Sequence, residues 1–454
     1  MDRPSITVVG AGIVGLACAR ALQQAGFAIT VVDRTGPCAG ASFGNAAHIA
    51  IASIFPQSTP GIVGQSWRLL RDPNGPLVAR PGYVLRHWPW FMRFLSLGRP
   101  DTVTRGTHIM NQLLSQAWTH WEPLLRDADA AHLVRKTGAL HVFKSQTAMN
   151  KARGAYTERQ RLGITCETLT AQQAMAMEPA LTPNIGGAVH IPEMGLITDT
   201  HRLCMALFDR IAADGGQMLR QEVTAIRHDG VQTTEAFLPS NQVVLAAGAW
   251  SARFAKQLGV RIPVVSERGY HVMLPKTASP LHMPVLLIEN KIALTPMQEG
   301  LRIASMAEFT LPDDRPDHAR AAPVFQGLEQ WIIGTDAPPQ SRWVGPRPST
   351  PDSRPIIGRS SLLPNVLLAY GHGHLGMTLA GLTASLVTSL ATDGPPAIDM
   401  AWVSPARIPG RDLDGIAQHG GLNRLASCAS DILAQRFTSG CQCRHLRRCL
   451  HCNS

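Results

Sequence analysis

Charge is scarce in this chain. Only 16% of its 454 residues are Asp, Glu, Lys or Arg, and 45% are hydrophobic. That shortage excludes the disordered, fibrous and coiled-coil classes, which are charge-rich or repeat-biased. Internal repeats are absent, as is any lysine- or arginine-rich run with the interleaved aromatics that stack on RNA bases. Cysteine is sparse too: Cys18, Cys38, Cys166 and Cys204 are scattered over the first 400 residues. Such spacing builds no disulfide framework and implies a reduced intracellular protein with buried thiols. A secretory leader is not expected, because the N-terminus enters a strand-like run at Ser5 almost at once. The one long uncharged stretch, 364–392, contains His372, His374 and several glycines. It reads as a buried strand and a buried helix, since a lipid-facing span would not carry them.

What is present bounds the partners. At ~150 residues per domain, the length allows two or three domains. The formal net charge is +10 and the pI about 9.5, a balance that admits anionic substrates, an anionic membrane surface or nucleic acid. Residues 409–454 supply +3 of that charge, leaving +7 on the body. They also hold Cys428, Cys441, Cys443, Cys449 and Cys452. The Cys and His spacings there are tighter than in ordinary zinc modules and no apolar core accompanies them. This tail is expected to be disordered, with no metal bound.

The first 33 residues carry the clearest pattern. A strand (Ser5–Val9) leads through Gly10-Ala11-Gly12-Ile13-Val14-Gly15 into a helix, then a second strand ends at Asp33. Gly10 permits a tight turn, Gly12 a close backbone approach to a pyrophosphate, and Gly15 the packing of helix on sheet. The helix N-terminus offers N–H groups and partial positive charge to phosphates, and an acid 23 positions after Gly10 suits ribose hydroxyls. A bound dinucleotide follows. Further on, Val243–Gly248 reads as a buried strand ending in a turn. Short strand-like pieces between 266 and 307 suggest an antiparallel sheet.

Five motifs in order sharpen this: the glycine turn, Ser42-Phe43-Gly44-Asn45-Ala46-Ala47-His48, Val243–Gly248, Glu267-Arg268-Gly269-Tyr270-His271, and the stretch from Gly345-Pro346-Arg347-Pro348 to Gly371-His372-Gly373-His374-Leu375-Gly376-Met377-Thr378. Together they resemble the D-amino-acid oxidase superfamily of FAD-dependent oxidoreductases. The bacterial D-amino-acid dehydrogenase branch, with its D-hydroxyproline members, looks most similar. The resemblance implies an α/β fold, with a Rossmann-like FAD domain (1–60, 145–262, 335–408) interleaved with a mixed or antiparallel-sheet substrate domain (61–144, 263–334). It places FAD, without a covalent tether, on Gly10, Ala11, Gly12, Ile13, Val14, Gly15, Asp33, Arg34, Ser42, Asn45, Ala46, Val223, Gly248 and Gly373 to Thr378. It points to Arg347 for the substrate carboxylate, since a guanidinium grips a carboxylate through two parallel hydrogen bonds. Tyr270 is expected as a second carboxylate ligand, and His48 and His374 at the amine end.

The implied reaction is oxidation of the Cα–N bond of a small D-amino acid or D-proline derivative, with electrons leaving to a quinone or another acceptor. An oxygen-reducing amino-acid oxidase is the alternative within the class, and a tRNA-modifying flavoprotein the alternative outside it. Arg80 to Leu95 mixes tryptophans, aliphatics and arginines. Such a segment either lies in a membrane interface or packs as a helix with snorkelling arginines. A cytoplasmic location is expected, and the resemblance implies peripheral attachment to the inner face of the membrane if the first of these holds.

Overall fold

Short runs of β-branched residues form strands buried on both faces, and the chain begins with two of them. Ser5–Val9 and Ala28–Val32 pair in parallel, Ser5 opposite Ala28 through Val9 opposite Val32, with helix Ile13–Gln24 crossing between them. The computed structural model describes residues 3–407 except 73, 256, 260–263, 278 and 279. The expected Cys-rich tail lies outside the described residues.

Ser5–Val9 sits near the middle of a six-stranded sheet ordered Gln217–Leu219, Ala28–Val32, Ser5–Val9, Gln242–Leu245, Val366–Tyr370, Ile356–Arg359. The first five strands run parallel and the last antiparallel. Strand order reverses direction at Ser5–Val9, which opens a crevice at its carboxyl end where such sheets bind ligands. Helix Gly376–Ala391 packs beside Ile13–Gln24 over this sheet. The stretch 364–392 is thus a buried strand and a mostly buried helix. Among the described residues no helix is long and apolar enough to cross a membrane.

A nine-stranded mixed sheet forms the second layer: Ser341–Ser349, Val265–Pro275, Gly300–Phe309, Ile292–Pro296, Val285–Leu287, Ala139–Phe143, Gly187–Ile191 and Glu167–Leu169, with Leu77–Ala79 added beside Gly300–Phe309. Its pairing departs from the expected segment boundaries. Glu167–Leu169, Gly187–Ile191 and Ser341–Ser349, expected within the dinucleotide-binding segments, all join this sheet. The mixed α/β architecture with a Rossmann-like layer is otherwise as read. Chain order misleads here because the sheet recruits each strand by edge pairing, which local patterning does not encode.

Candidate active site

The glycine turn is built as its residues require. Gly10 holds φ +109°, and a Cβ there would meet the Ala246 carbonyl oxygen at 2.6 Å. A Cβ on Gly15 would overlap the Gly10 carbonyl oxygen, while one on Gly12 would meet only Ser42 Oγ, at 3.2 Å. Gly12 therefore leaves a cradle open at the helix N-terminus, where first-turn N–H groups lack intrahelical acceptors. Ile13 N–H donates to Ser42 Oγ at 2.9 Å, tying the 42–48 loop to this turn. Asp33 closes the end of its strand: Oδ2 accepts from Ala11 N at 2.8 Å, and Oδ1 from Thr35 N and Gly36 N at 2.8 and 3.0 Å. Arg34 stacks on Trp250 and donates to Asp313 at 2.8 Å.

The small-residue loop is pinned from the second sheet. Buried Arg302 donates to the carbonyls of Phe43 and Asn45 at 3.0 and 2.8 Å. Asn45 bridges its own loop, donating to Ser42 O and accepting from Ala47 N. Ala47 holds φ +59°, a left-handed conformation that explains why glycine would be at ease there. Across the crevice, Gly371 and Gly373 also have positive φ and turn the chain into helix Gly376–Ala391. Trp121 Nε1 donates to Met377 O at 2.8 Å and holds that helix start in place.

These segments wall one cavity of about 980 Å³. Gly10, Gly12, Ile13, Val14, Asp33, Arg34, Ser42, Asn45, Ala46, His48, Val223, Gly248, Gly373, His374, Gly376, Met377 and Arg347 all line it. Ala11, Gly15, Leu375 and Thr378 do not. Ala11 and Gly15 support the turn from behind, Leu375 is buried, and Thr378 Oγ1 accepts from Ala50 N at 3.0 Å.

Tyr270 departs from expectation. Strand Val265–Pro275 alternates its side chains, so Glu267 and Gly269 face the cavity while Arg268 and Tyr270 face away. The Tyr270 hydroxyl donates to Glu308 Oε2 at 2.6 Å and accepts from Arg268 at 3.2 Å. Burial, then the hydrogen bond to Glu308, raise its pKa. It is a structural group behind the sheet, and the cavity loses it as a carboxylate ligand.

Arg347 lies across Gly269, where a Cβ would overlap the guanidinium. Its NH1 donates to Glu267 Oε1 at 3.1 Å and to Met306 O at 3.0 Å. The opposite Glu267 oxygen accepts from Ser349 Oγ at 2.7 Å. Among the described residues Nε and NH2 make no intramolecular hydrogen bond, so one edge of the fork remains for a ligand carboxylate. His374 opens onto the cavity, with Nδ1 3.1 Å from Gln57 Nε2. The cavity walls still desolvate it and lower its pKa; Glu267 opposes that and Arg347 adds to it. His48 is buried, and Nε2 lies 2.8 Å from Thr295 Oγ1. Thr295 donates onward to Ala46 O, so His48 donates from Nε2. Burial lowers its pKa to about 4.

Sequence reading missed Glu267, Lys291, Trp343 and Gln57 as cavity residues, and Arg302 as the loop's anchor. Glu267 stood inside a quoted motif. Lys291 carries no local signal, apart from a left-handed φ of +56° that only the structure reveals.

Buried neutral histidines set an acid limit. Burial lowers His48 and His271 to about 4, with Arg302 adding to the effect at His271; burial lowers His141 and His372 to about 3. Each binds fewer protons folded than unfolded between its folded value and 6.5. Stability is therefore full above pH 6.5 and is lost as pH falls toward 4. At pH 5 the loss is about 2 kcal/mol per histidine. Urea midpoints at pH 7 and 5 check this: the expected result is a clear fall at pH 5, and equal midpoints contradict it.

The fold and cavity have known counterparts. The family model described as DAO, FAD dependent oxidoreductase, matches residues 5–390. D-amino acid dehydrogenase 2 of Ralstonia nicotianae is 31% identical over 432 residues, covering 88% of this chain and 100% of that protein. A D-amino-acid oxidase of Bradyrhizobium diazoefficiens is 28% identical over 414 residues, covering 88% and 98%. Among solved structures, glycine oxidase from Geobacillus kaustophilus aligns at TM-score 0.72 and 21% identity, covering 90% of this chain and 100% of that one. That likeness speaks for the fold alone. A glycine cradle open at a helix N-terminus, an acid at the second strand's end and a family match across most of the chain agree: the protein belongs to the DAO family of FAD-dependent oxidoreductases.

Proposed function

We propose that this oxidoreductase acts on a small D-amino acid or a D-proline derivative and delivers electrons to a quinone or another acceptor. The observation that carries the reading is Arg347, fixed in the cavity wall by Glu267 and Met306 with one guanidinium edge open. FAD, when bound, supplies the hydride acceptor. Gly10, Gly12, Ile13, Val14, Asp33, Arg34 and Val223 would hold its ADP half, and Ser42, Asn45, Ala46, Gly373, His374, Gly376 and Met377 its flavin half. None of the described cysteines lines the cavity, which supports a non-covalent group. Arg347 orients the carboxylate and with it the Cα–H bond. His48 shapes the wall without carrying charge, because burial lowers its pKa to about 4, and its Nε2–H is committed to Thr295. A neutral substrate amine needs no dedicated base.

The relatives named D-amino acid dehydrogenase favour an acceptor other than oxygen, while the relative named D-amino-acid oxidase keeps the peroxide-forming alternative in view. A panel of D- and L-amino acids, read by dye reduction and by peroxide, separates them. Dye reduction with D-substrates and little peroxide is expected. Peroxide formed at the rate of dye reduction overturns the dehydrogenase reading.

Contact with a membrane surface belongs to the same proposal. Val63, Trp67, Leu85, Trp88 and Met92 are exposed on helices Ile62–Arg71, Pro81–Arg86 and Trp88–Ser96. Arg68, Arg71, Arg86 and Arg93 stand among them, and Ile62, Leu69, Phe91 and Phe94 of the same segment line the cavity. Apolar faces rimmed by arginine suit an anionic bilayer. Co-sedimentation with phosphatidylglycerol vesicles tests it. The double variant Trp67→Glu/Trp88→Glu should lose binding at least tenfold with dye turnover of the dissolved enzyme unchanged. Equal binding removes this surface from the proposal.

A further inference from the structure

The chain surrounding Arg347 brings a second cation to the same end of the cavity. Arg347 NH1 bonds Met306 O, and the preceding residue, Ser305, donates from Oγ to Lys291 O at 3.0 Å. Lys291, Ser305, Met306, Glu267 and Arg347 all line the cavity. Lys291 is a non-glycine residue at φ +56°, closing a turn through Lys291 N to Ile288 O at 3.3 Å. Lys291 is exposed at this wall; partial desolvation lowers its pKa and Glu267 opposes that shift.

Charge counting then decides what this end can hold. The other charged residues lining the cavity, Asp33, Arg34, Glu222 and Arg253, belong to the adenosine end. Arg34 is paired with Asp313, and Arg253 with Glu222 and Asp313. At the substrate end stand Arg347, Glu267 and Lys291, with His48 and His374 neutral because desolvation lowers both imidazole pKa values. The Arg347–Glu267 pair cancels, leaving one net positive charge contributed by Lys291. One ligand carboxylate balances it; a second would leave an uncompensated negative charge in a partly desolvated cavity.

We infer that Lys291 is the second carboxylate ligand beside Arg347, and that Glu267 and Lys291 together restrict the substrate to monocarboxylic amino acids with uncharged side chains. This rests on the proposed carboxylate role of Arg347. Acidic amino acids are rejected by charge, not size.

The test uses FAD-loaded enzyme, with propionate and succinate as probes read by perturbation of the flavin absorption, alongside turnover of D-alanine. Wild type should bind propionate at least tenfold more tightly than succinate. Lys291→Met keeps the backbone demand at this position, so the fold and bound FAD should persist. It should weaken propionate binding and raise KM by at least tenfold with kcat within about threefold, and Lys291→Arg should recover most of the loss. Glu267→Gln removes the balancing charge and should shift preference toward succinate by at least tenfold. Unchanged propionate binding and KM in Lys291→Met overturn the inference. So does a variant whose only defect is slower reaction with the electron acceptor, or a wild type blind to propionate. If no amino acid turns over while the propionate and Lys291 effects appear, the proposed function fails and the carboxylate subsite stands.

Discussion

Replacing Arg347 with alanine should raise KM for the amino-acid substrate by about 10²–10³-fold, with FAD retained. The size follows from losing a charge-assisted, two-point grip on a carboxylate in a desolvated cavity, worth about 3–4 kcal/mol. Arg347→Lys should recover only part of it, because an ammonium cannot present two parallel donors while also holding Glu267. The alanine variant also strips Glu267 of its hydrogen-bonded cation, leaving a buried carboxylate with Ser349 as its remaining hydrogen-bond partner. Some loss of stability is therefore expected. The double variant Arg347→Ala/Glu267→Gln removes that buried charge and should recover stability without recovering KM. Steady-state kinetics and thermal melts on the FAD-loaded proteins read the two effects apart. An unchanged KM in Arg347→Ala removes Arg347 from the substrate site.

A second large effect is expected at the glycine turn, where two neighbouring glycines should fail differently. Gly12→Val adds a Cβ whose one near neighbour is Ser42 Oγ. The side chain projects into the cradle at the helix N-terminus, so the protein should fold yet lose FAD affinity by at least 100-fold, judged from the close backbone approach a pyrophosphate requires. Gly15→Ala puts a Cβ onto the Gly10 carbonyl oxygen in the packed interior. It should cost several kcal/mol of stability before any question of cofactor arises. Circular dichroism and the visible spectrum, taken together, separate these outcomes. A yellow Gly12→Val protein with full FAD occupancy contradicts the placement of the pyrophosphate.

Much of the dinucleotide end was legible because its chemistry is local. Gly10 to Gly15 and Asp33 lie within one βαβ unit, so spacing alone fixes which backbone groups would face a phosphate. The turn Gly371 to Gly376 was similarly legible, since positive φ at two glycines and an uncharged helix start are written in neighbouring residues. The substrate end was harder to read. Tyr270 and Gly269 are adjacent in sequence, yet a strand sends them to opposite faces, and the register is set by pairing with Ser341–Ser349 and Gly300–Phe309. Lys291 enters the cavity only because Ile292–Pro296 pairs with Gly300–Phe309 and the Ser305 hydroxyl holds the Lys291 carbonyl. Arg302 anchors Phe43 and Asn45 across more than 250 positions, a contact no local motif announces. Segment boundaries failed for the same reason: Glu167–Leu169, Gly187–Ile191 and Ser341–Ser349 choose their sheet by edge pairing.

The central claim is that this cavity, loaded with FAD, oxidises a small amino acid of D configuration held by its carboxylate. Anaerobic mixing of the yellow holoenzyme with D-alanine or D-proline, followed at the flavin absorption band, tests it without assuming any acceptor. Bleaching by the D-enantiomer at a rate that saturates with concentration, and none by the L-enantiomer, is the expected result. A spectrum that stays oxidised with every D-amino acid, or bleaches only with L-enantiomers, contradicts it.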